Sequence, residues 1–249
     1  LIIAFLIAII GMIPVVLAIC VIKIYKGSEL ATALLLYMIF ISFWQLDVAV
    51  LYLNGIFSKN LIMLLFRLFR IGTTFMVPIV FYLPYILIKK HTANFKNKTY
   101  YQFLLSIFNR KVLFFLVVWS SIIYLINMTR LGIVDLKEVK ILHSTTYFYF
   151  PEYGPLQFLY LFHTGSLIIF VMFTFIISRQ IQNIYLKGFL STFSFCTFLL
   201  FVFGFLNFIP GAGALFSSLG IIIFSVIIVF SFIRMHTMLT VNFNRLLER

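Results

Sequence analysis

Acidic residues are scarce in this sequence: six Asp and Glu against nineteen Lys and Arg in 249 residues, with charged residues of either sign making up only 10%. Soluble domains carry roughly 25% charged residues, so an ordinary water-exposed globular surface is excluded. Cysteine is nearly absent. Cys20 and Cys196 sit singly inside apolar runs, which excludes a disulfide framework or a CxxC site and leaves the redox compartment open. Catalytic patterns are also missing: no HExxH, no GxSxG, no HxxxxD after any of the four histidines, and no pair of intramembrane aspartates, since Asp47 is alone. A membrane hydrolase or acyltransferase has little to work with. The chain is read as a non-enzyme that calls for no cofactor. His91 and His236 fall at one membrane boundary, His143 in a loop on the other side and His163 within a span, so the histidines do not converge and a zinc site is disfavoured.

What the sequence has instead is apolar length. It is 63% hydrophobic with a mean hydropathy of +1.15, and runs of ~20 apolar residues are long enough to cross a bilayer. Seven such runs are read, at about 1–25, 30–53, 61–88, 112–131, 156–178, 188–208 and 214–233. The expected fold is all-α, a polytopic seven-transmembrane-helix bundle forming a single domain over 1–249. The third run is expected to bend at Pro78 and Pro84, and Pro210-Gly211-Ala212-Gly213 to form a tight turn before the seventh. Between the third and fourth runs, Lys89 to Lys111 holds six Lys or Arg and no acid around an aromatic-apolar stretch, Thr99–Phe108. Two readings stand for it: a segment lying flat at the headgroup level, or a solvated loop.

The net charge of +13 would suggest nucleic acid in a soluble protein, but here its distribution gives topology. Thirteen Lys and Arg fall after the first, third and fifth runs and in the tail; Lys59, Arg130, Lys137 and Lys140 fall on the other side. The positive-inside rule then puts the N-terminus outside and the C-terminus inside. Residues 234–249 become a cytoplasmic exit segment. The sequence begins at Leu1 rather than Met and ends on a charged stretch, as a piece of a longer protein would.

Three strong charges lie well inside apolar sequence: Asp47 in the second run, Arg67 and Arg70 in the third. Counted inward from the intervening break at ~1.5 Å per residue, Asp47 and Arg67 lie about 10 Å deep and Arg70 about 15 Å, so the three can meet. An ionisable group at such depth costs several kcal/mol unless paired or hydrated and marks a functional site by default. Ser120, Tyr124 and Asn127 share one helix face by their spacing, as do Gln157, Tyr160 and Thr164. With the orientation above, these stripes fall in the outer half and suggest an outward-facing ligand cavity. Asp47, Arg67, Arg70, Tyr124, Asn127, Glu152, Tyr160 and His163 are the expected ligand-binding residues. Two guanidinium groups against one carboxylate favour an anionic or carboxylate-bearing ligand. The competing reading turns Arg67 outward, pairs Arg70 with Asp47 and makes the other polar groups interhelical hydrogen bonds. His163 is either a pocket or pH-sensing group or an interhelical histidine, and Glu152 either gates the mouth or is solvated.

The long connection after the fourth run ends in Phe150-Pro151-Glu152-Tyr153-Gly154-Pro155-Leu156, the third run carries Val77-Pro78-Ile79, and the last run exits past Arg234. With the outside-N, inside-C topology, these features resemble the seven-transmembrane N-terminal sensor region of bacterial histidine kinases, also found ahead of diguanylate cyclases. The resemblance spans essentially the whole chain but includes no kinase or cyclase signature. It implies a multi-pass protein of the bacterial plasma (inner) membrane, a sensor or receptor module in signal transduction by a two-component system. Its partners would be membrane lipids, a small-molecule or peptide ligand, a cytoplasmic effector in cis or in trans, and a second copy in a homodimer, with no nucleic acid. The alternative is a small transporter or permease subunit using the Asp-Arg cluster as a substrate or coupling site.

Overall fold

The fold is described from a computed structural model, over residues 2–90, 99–140, 147–208 and 213–247. His91, Lys96, Lys98, His143, the turn residues Pro210, Gly211 and Ala212, and Arg249 lie outside the described residues.

The helices begin where a polar side chain can hold the first free N–H groups. α1 (Ile2–Ile24) is followed by α2 (Glu29–Val50), capped by the Ser28 hydroxyl accepting from the Ala31 N–H. Ser58 does the same for α3 (Lys59–Phe69) through the Leu61 N–H. α4 (Ile71–Lys90) continues α3 after a one-residue interruption at Arg70, and α5 (Thr99–Ile107) is a short helix within the basic connection. Asn109 caps α6 (Arg110–Asn127) and Asn183 caps α8 (Ile184–Phe205), with α7 (Gln157–Ser178) between them. A single 3₁₀ turn, Leu206–Phe208, closes α8. The last helix, α9, runs from Gly213 to Leu247.

Among the described residues, seven helical spans are long and apolar enough to cross a membrane, counting Lys59–Lys89 as one. All seven coincide with the runs read from the sequence, and together they form a helical bundle. Three features differ from expectation. The third run is interrupted at Arg70, while Pro78 and Pro84 lie inside the helix that follows. The Arg70 carbonyl accepts from the hydroxyls of Thr73 and Thr74 at 3.1 and 2.8 Å as well as from the Thr74 N–H. Such hydroxyls compete with the helical ladder. Second, α9 passes the end of the last apolar run near residue 233 without a break and continues through the exit segment, 35 residues in all, about 50 Å at ~1.5 Å per residue.

Third, the long connection after α6 carries strands, which an all-α reading did not include. It folds into an antiparallel hairpin of β1 (Ile133–Lys140) and β2 (Tyr147–Tyr153), pairing Leu136 with Pro151 and Lys140 with Tyr147, with a bulge between Ile133 and Asp135. Aromatic and β-branched residues favour a pleated, half-buried surface. An isolated two-stranded hairpin is marginal in water, and this one is docked. The Tyr149 N–H donates to the Leu51 carbonyl at the end of α2 (2.9 Å), and Tyr52 stacks on Phe148 at 5.0 Å. Lys59 pairs with Asp135 at 2.7 Å, holding that carboxyl below the usual range through its hydrogen bond. Burial raises the Tyr149 phenol, with Glu138 beside it adding to the effect. Beneath the hairpin is a local core that includes Ile7, Val48, Ile62, Phe66, Ile133 and Leu136; a larger core fills the rest of the bundle. Gly154 crosses so close to Arg130 and Leu131 that a Cβ there would collide with their carbonyl oxygens.

Candidate functional site

Between the hairpin and the bundle lies a cavity of about 320 Å³, within the roughly 300–1,000 Å³ typical of ligand sites. Trp44, Asp47, Val48 and Leu51 of α2 form one wall; Phe66, Arg70, Thr73 and Met76 of α3 and α4 form the next. The hairpin roofs it with Phe148, Phe150, Pro151 and Tyr153. Tyr160, Leu161, Thr164, Gly165 and Leu167 of α7 line a third side, and Phe201, Gly204, Phe205 and Asn207 at the end of α8 a fourth.

Its polar centre is an ion pair between Asp47 and Arg70, the carboxylate 1% and the arginine 6% exposed. Arg70 Nη1 donates to Asp47 Oδ2 at 3.2 Å, and Nη2 to the Tyr153 hydroxyl at 3.2 Å. The guanidinium carbon also stands 4.5 Å from the Tyr160 ring centre and 4.9 Å from that of Phe66, an arrangement in which the ring faces attract the cation. Arg70 Nε makes no hydrogen bond, and neither amide atom of Asn207 has a partner although all three atoms are buried. Buried polar atoms without partners are few in folded proteins and call for a reason. Here they border one cavity.

The structure gathers only some of the residues singled out from the sequence. Asp47, Arg70 and Tyr160 line the cavity. Arg67 does not: its Nη2 donates to the Ile133 carbonyl of β1 at 2.6 Å, so the second arginine pins the hairpin. Tyr124 donates to the Leu68 carbonyl at 3.2 Å, outside the cavity lining. Asn127 is buried at the end of α6, its Oδ1 close against Gly132. His163 is buried between helices, Nε2 lying 2.9 Å from the Thr74 carbonyl and 3.1 Å from the Ser120 hydroxyl. Glu152 is an exposed β2 residue opposite Asp135. The sequence reading missed Trp44 and Thr73 as wall residues, although Trp44 stands three residues before Asp47 on α2 and Thr73 three residues after Arg70. The hairpin aromatics had no legible address, because nothing in the sequence says which face of the roof points down.

Fold and site together define a class: a seven-helix bundle holding a buried ion pair in an aromatic cavity beneath a β-hairpin. No protein-family model matches the chain, and no curated protein is detectably similar to it. Among the described residues, no three His, Cys, Asp or Glu side chains converge as metal ligands.

Proposed function

We propose that this chain is the membrane-embedded sensor module of a signalling protein, inserted in a bacterial plasma membrane with the hairpin outside and α9 leaving into the cytoplasm. The Lys and Arg asymmetry supports that orientation. The observation that carries the reading is the cavity whose walls include an ion pair and buried polar atoms on Arg70 and Asn207 that have no partner within the chain, which are atoms a ligand would satisfy. Loss of Arg67 from the lining leaves one cation against one anion, so the basis for an anionic ligand disappears.

The output route runs through α8. Phe205 and Gly204 face the cavity, and the adjacent Phe203 meets Phe224 of α9 with ring centres 5.5 Å apart. A second link runs from α2, where Gln45 Oε1 accepts from the Ser218 hydroxyl of α9 at 2.7 Å. Occupancy that moves the end of α8 would change how α9 seats, and α9 is long enough to carry a shift out of the bilayer. Such a switch requires contacts that differ between the two states.

The test reads the activity of the cytoplasmic partner in membrane vesicles, kinase or cyclase, encoded in frame or separately. Asn207→Leu and Arg70→Met should fix the output regardless of added organic extract of the host's growth medium and membranes, while Arg67→Ala should still respond. An equal response in all three variants would count against the cavity as the sensing site.

A further inference from the structure

The cavity is closed toward the hairpin end and open toward the side. The roof is tied to α2 through Tyr149 and Leu51, to α3 through Arg67 and Ile133, and again through Lys59 and Asp135. On the flank, Leu161 of α7 and Phe205 of α8 both line the cavity and are both exposed, at 44% and 52%. One turn along α7, Gly165 also lines it, and a Cβ built there would meet nothing within 4 Å. α7 and α8 are held together at their other ends, where Ser178 and Ser191 hydrogen-bond at 2.9 Å. An opening between two apolar helices, edged by Leu and Phe, faces lipid in a membrane-inserted bundle rather than water.

The lining also specifies charge and head chemistry. Among the described residues that line it, Asp47 and Arg70 are the only charged ones, and they neutralise each other. An added anion would compete with Asp47, and an added cation with Arg70, each at the cost of a buried charge left over. Arg70 Nε and Asn207 Nδ2 need acceptors, and Asn207 Oδ1 needs a donor. The remaining surface is dominated by aromatic and aliphatic side chains. Resting on the sensing role proposed above, we infer that the occupant is an uncharged, membrane-dissolved amphiphile of the monoacylglycerol kind. Its carbonyl and hydroxyl head satisfies Arg70 and Asn207, its apolar body fills the aromatic walls, and it reaches the cavity from the bilayer between α7 and α8.

The experiment uses the chain in lipid nanodiscs with a diazirine-bearing monoacylglycerol, photolysed and mapped by mass spectrometry. Saturable labelling is expected in 157–165 and 201–208, competed at least tenfold more effectively by monopalmitoylglycerol than by palmitate at pH 8. Gly165→Phe fills the opening and should reduce that labelling at least tenfold. Gly188→Phe, a substitution into equally open space on α8 away from the cavity, should leave it unchanged. Non-saturable labelling of the exposed α6 face at Phe114 and Phe115 reports that each variant is folded and inserted. Labelling undiminished by Gly165→Phe, or palmitate as the better competitor, would overturn the inference. Labelling needs no effector, so saturable occupancy without any change in effector output counts against the sensing role alone, and an intact response with no lateral labelling counts against this inference alone.

Discussion

Breaking and then replacing the Asp47–Arg70 pair is the sharpest test of how the site is built. Both side chains are almost wholly buried and 3.2 Å apart, where an effective dielectric constant near 20 gives an attraction of about 5 kcal/mol before desolvation is charged against it. Removing one partner from a buried pair costs about 3–5 kcal/mol, because the other charge stays behind. The two halves are not equivalent. Without Asp47, Arg70 keeps the Tyr153 hydroxyl and the faces of Tyr160 and Phe66, contacts already made in the parent that leave the stranded cation partly compensated. Asp47→Leu should therefore cost about 2–3 kcal/mol, and Arg70→Met, which strands the carboxylate and frees Tyr153, about 3–5 kcal/mol. The double variant replaces the pair with apolar volume and should lie within about 1 kcal/mol of the parent. Equilibrium unfolding in mixed dodecylmaltoside–SDS micelles measures all four corners of the cycle. Single variants that each cost under about 1 kcal/mol, or a double variant equal to their sum, would refute the assignment of a coupled, desolvated pair.

Asn207→Leu removes buried amide atoms that have no partner and should raise stability by about 1–3 kcal/mol in the same assay; a loss of that size would mean the amide is satisfied in the unliganded protein. Gly72→Ala should destabilise by about 1–3 kcal/mol or more, because the new Cβ would stand 2.7 Å from the Phe40 carbonyl oxygen of α2 and against its backbone, and a neutral result would show that α2 and α4 do not cross so closely. The Asp135 carboxyl, held below its ordinary value by Lys59, lends stability to the docked hairpin that is fully present above the unfolded-state pKa of about 4 and is lost as pH falls through the lower folded value. Protease nicking in 133–153 should thus be flat from pH 8 to 5 and rise only below about pH 4. The pair is half-exposed, so the rise should be small, and a rise already at pH 6 would point to a different anchor.

The spans were legible because ~20-residue apolar runs admit few alternatives once the backbone must satisfy its own hydrogen bonds. The site was legible in part. Asp47 and Arg70 stood out as charges in apolar sequence, at counted depths of about 10 and 15 Å that let them meet. Arg67 stood out for the same reason, and counting residues set it, rather than Arg70, level with Asp47; the acceptor that draws it away is the backbone carbonyl of Ile133, 66 positions downstream. The face shared by Ser120, Tyr124 and Asn127 was correctly read as one polar stripe, yet it meets α3, α4 and α7 rather than the cavity: Tyr124 reaches Leu68 and Ser120 reaches His163. β1 hid because its bulge between Ile133 and Asp135 interrupts the alternation that marks a strand.

One residue joins the cavity to the helix seam that could transmit its state. Trp44 lines the cavity three residues before Asp47, and its ring lies so close to Gly204 of α8 that a Cβ at Gly204 would collide with it. On the other side of the same turn of α8, Phe203 presses on α9 at Gly220, where an added Cβ would stand 2.8 Å from the Phe203 ring. α8 is thus packed without slack between an indole that feels the cavity and a helix that leaves the bundle. Tightly packed interiors shift between discrete arrangements rather than yield gradually. A ligand head that draws Arg70 or Asn207 by even a fraction of an ångström would act at the point in the fold where two glycines have removed the room to absorb it.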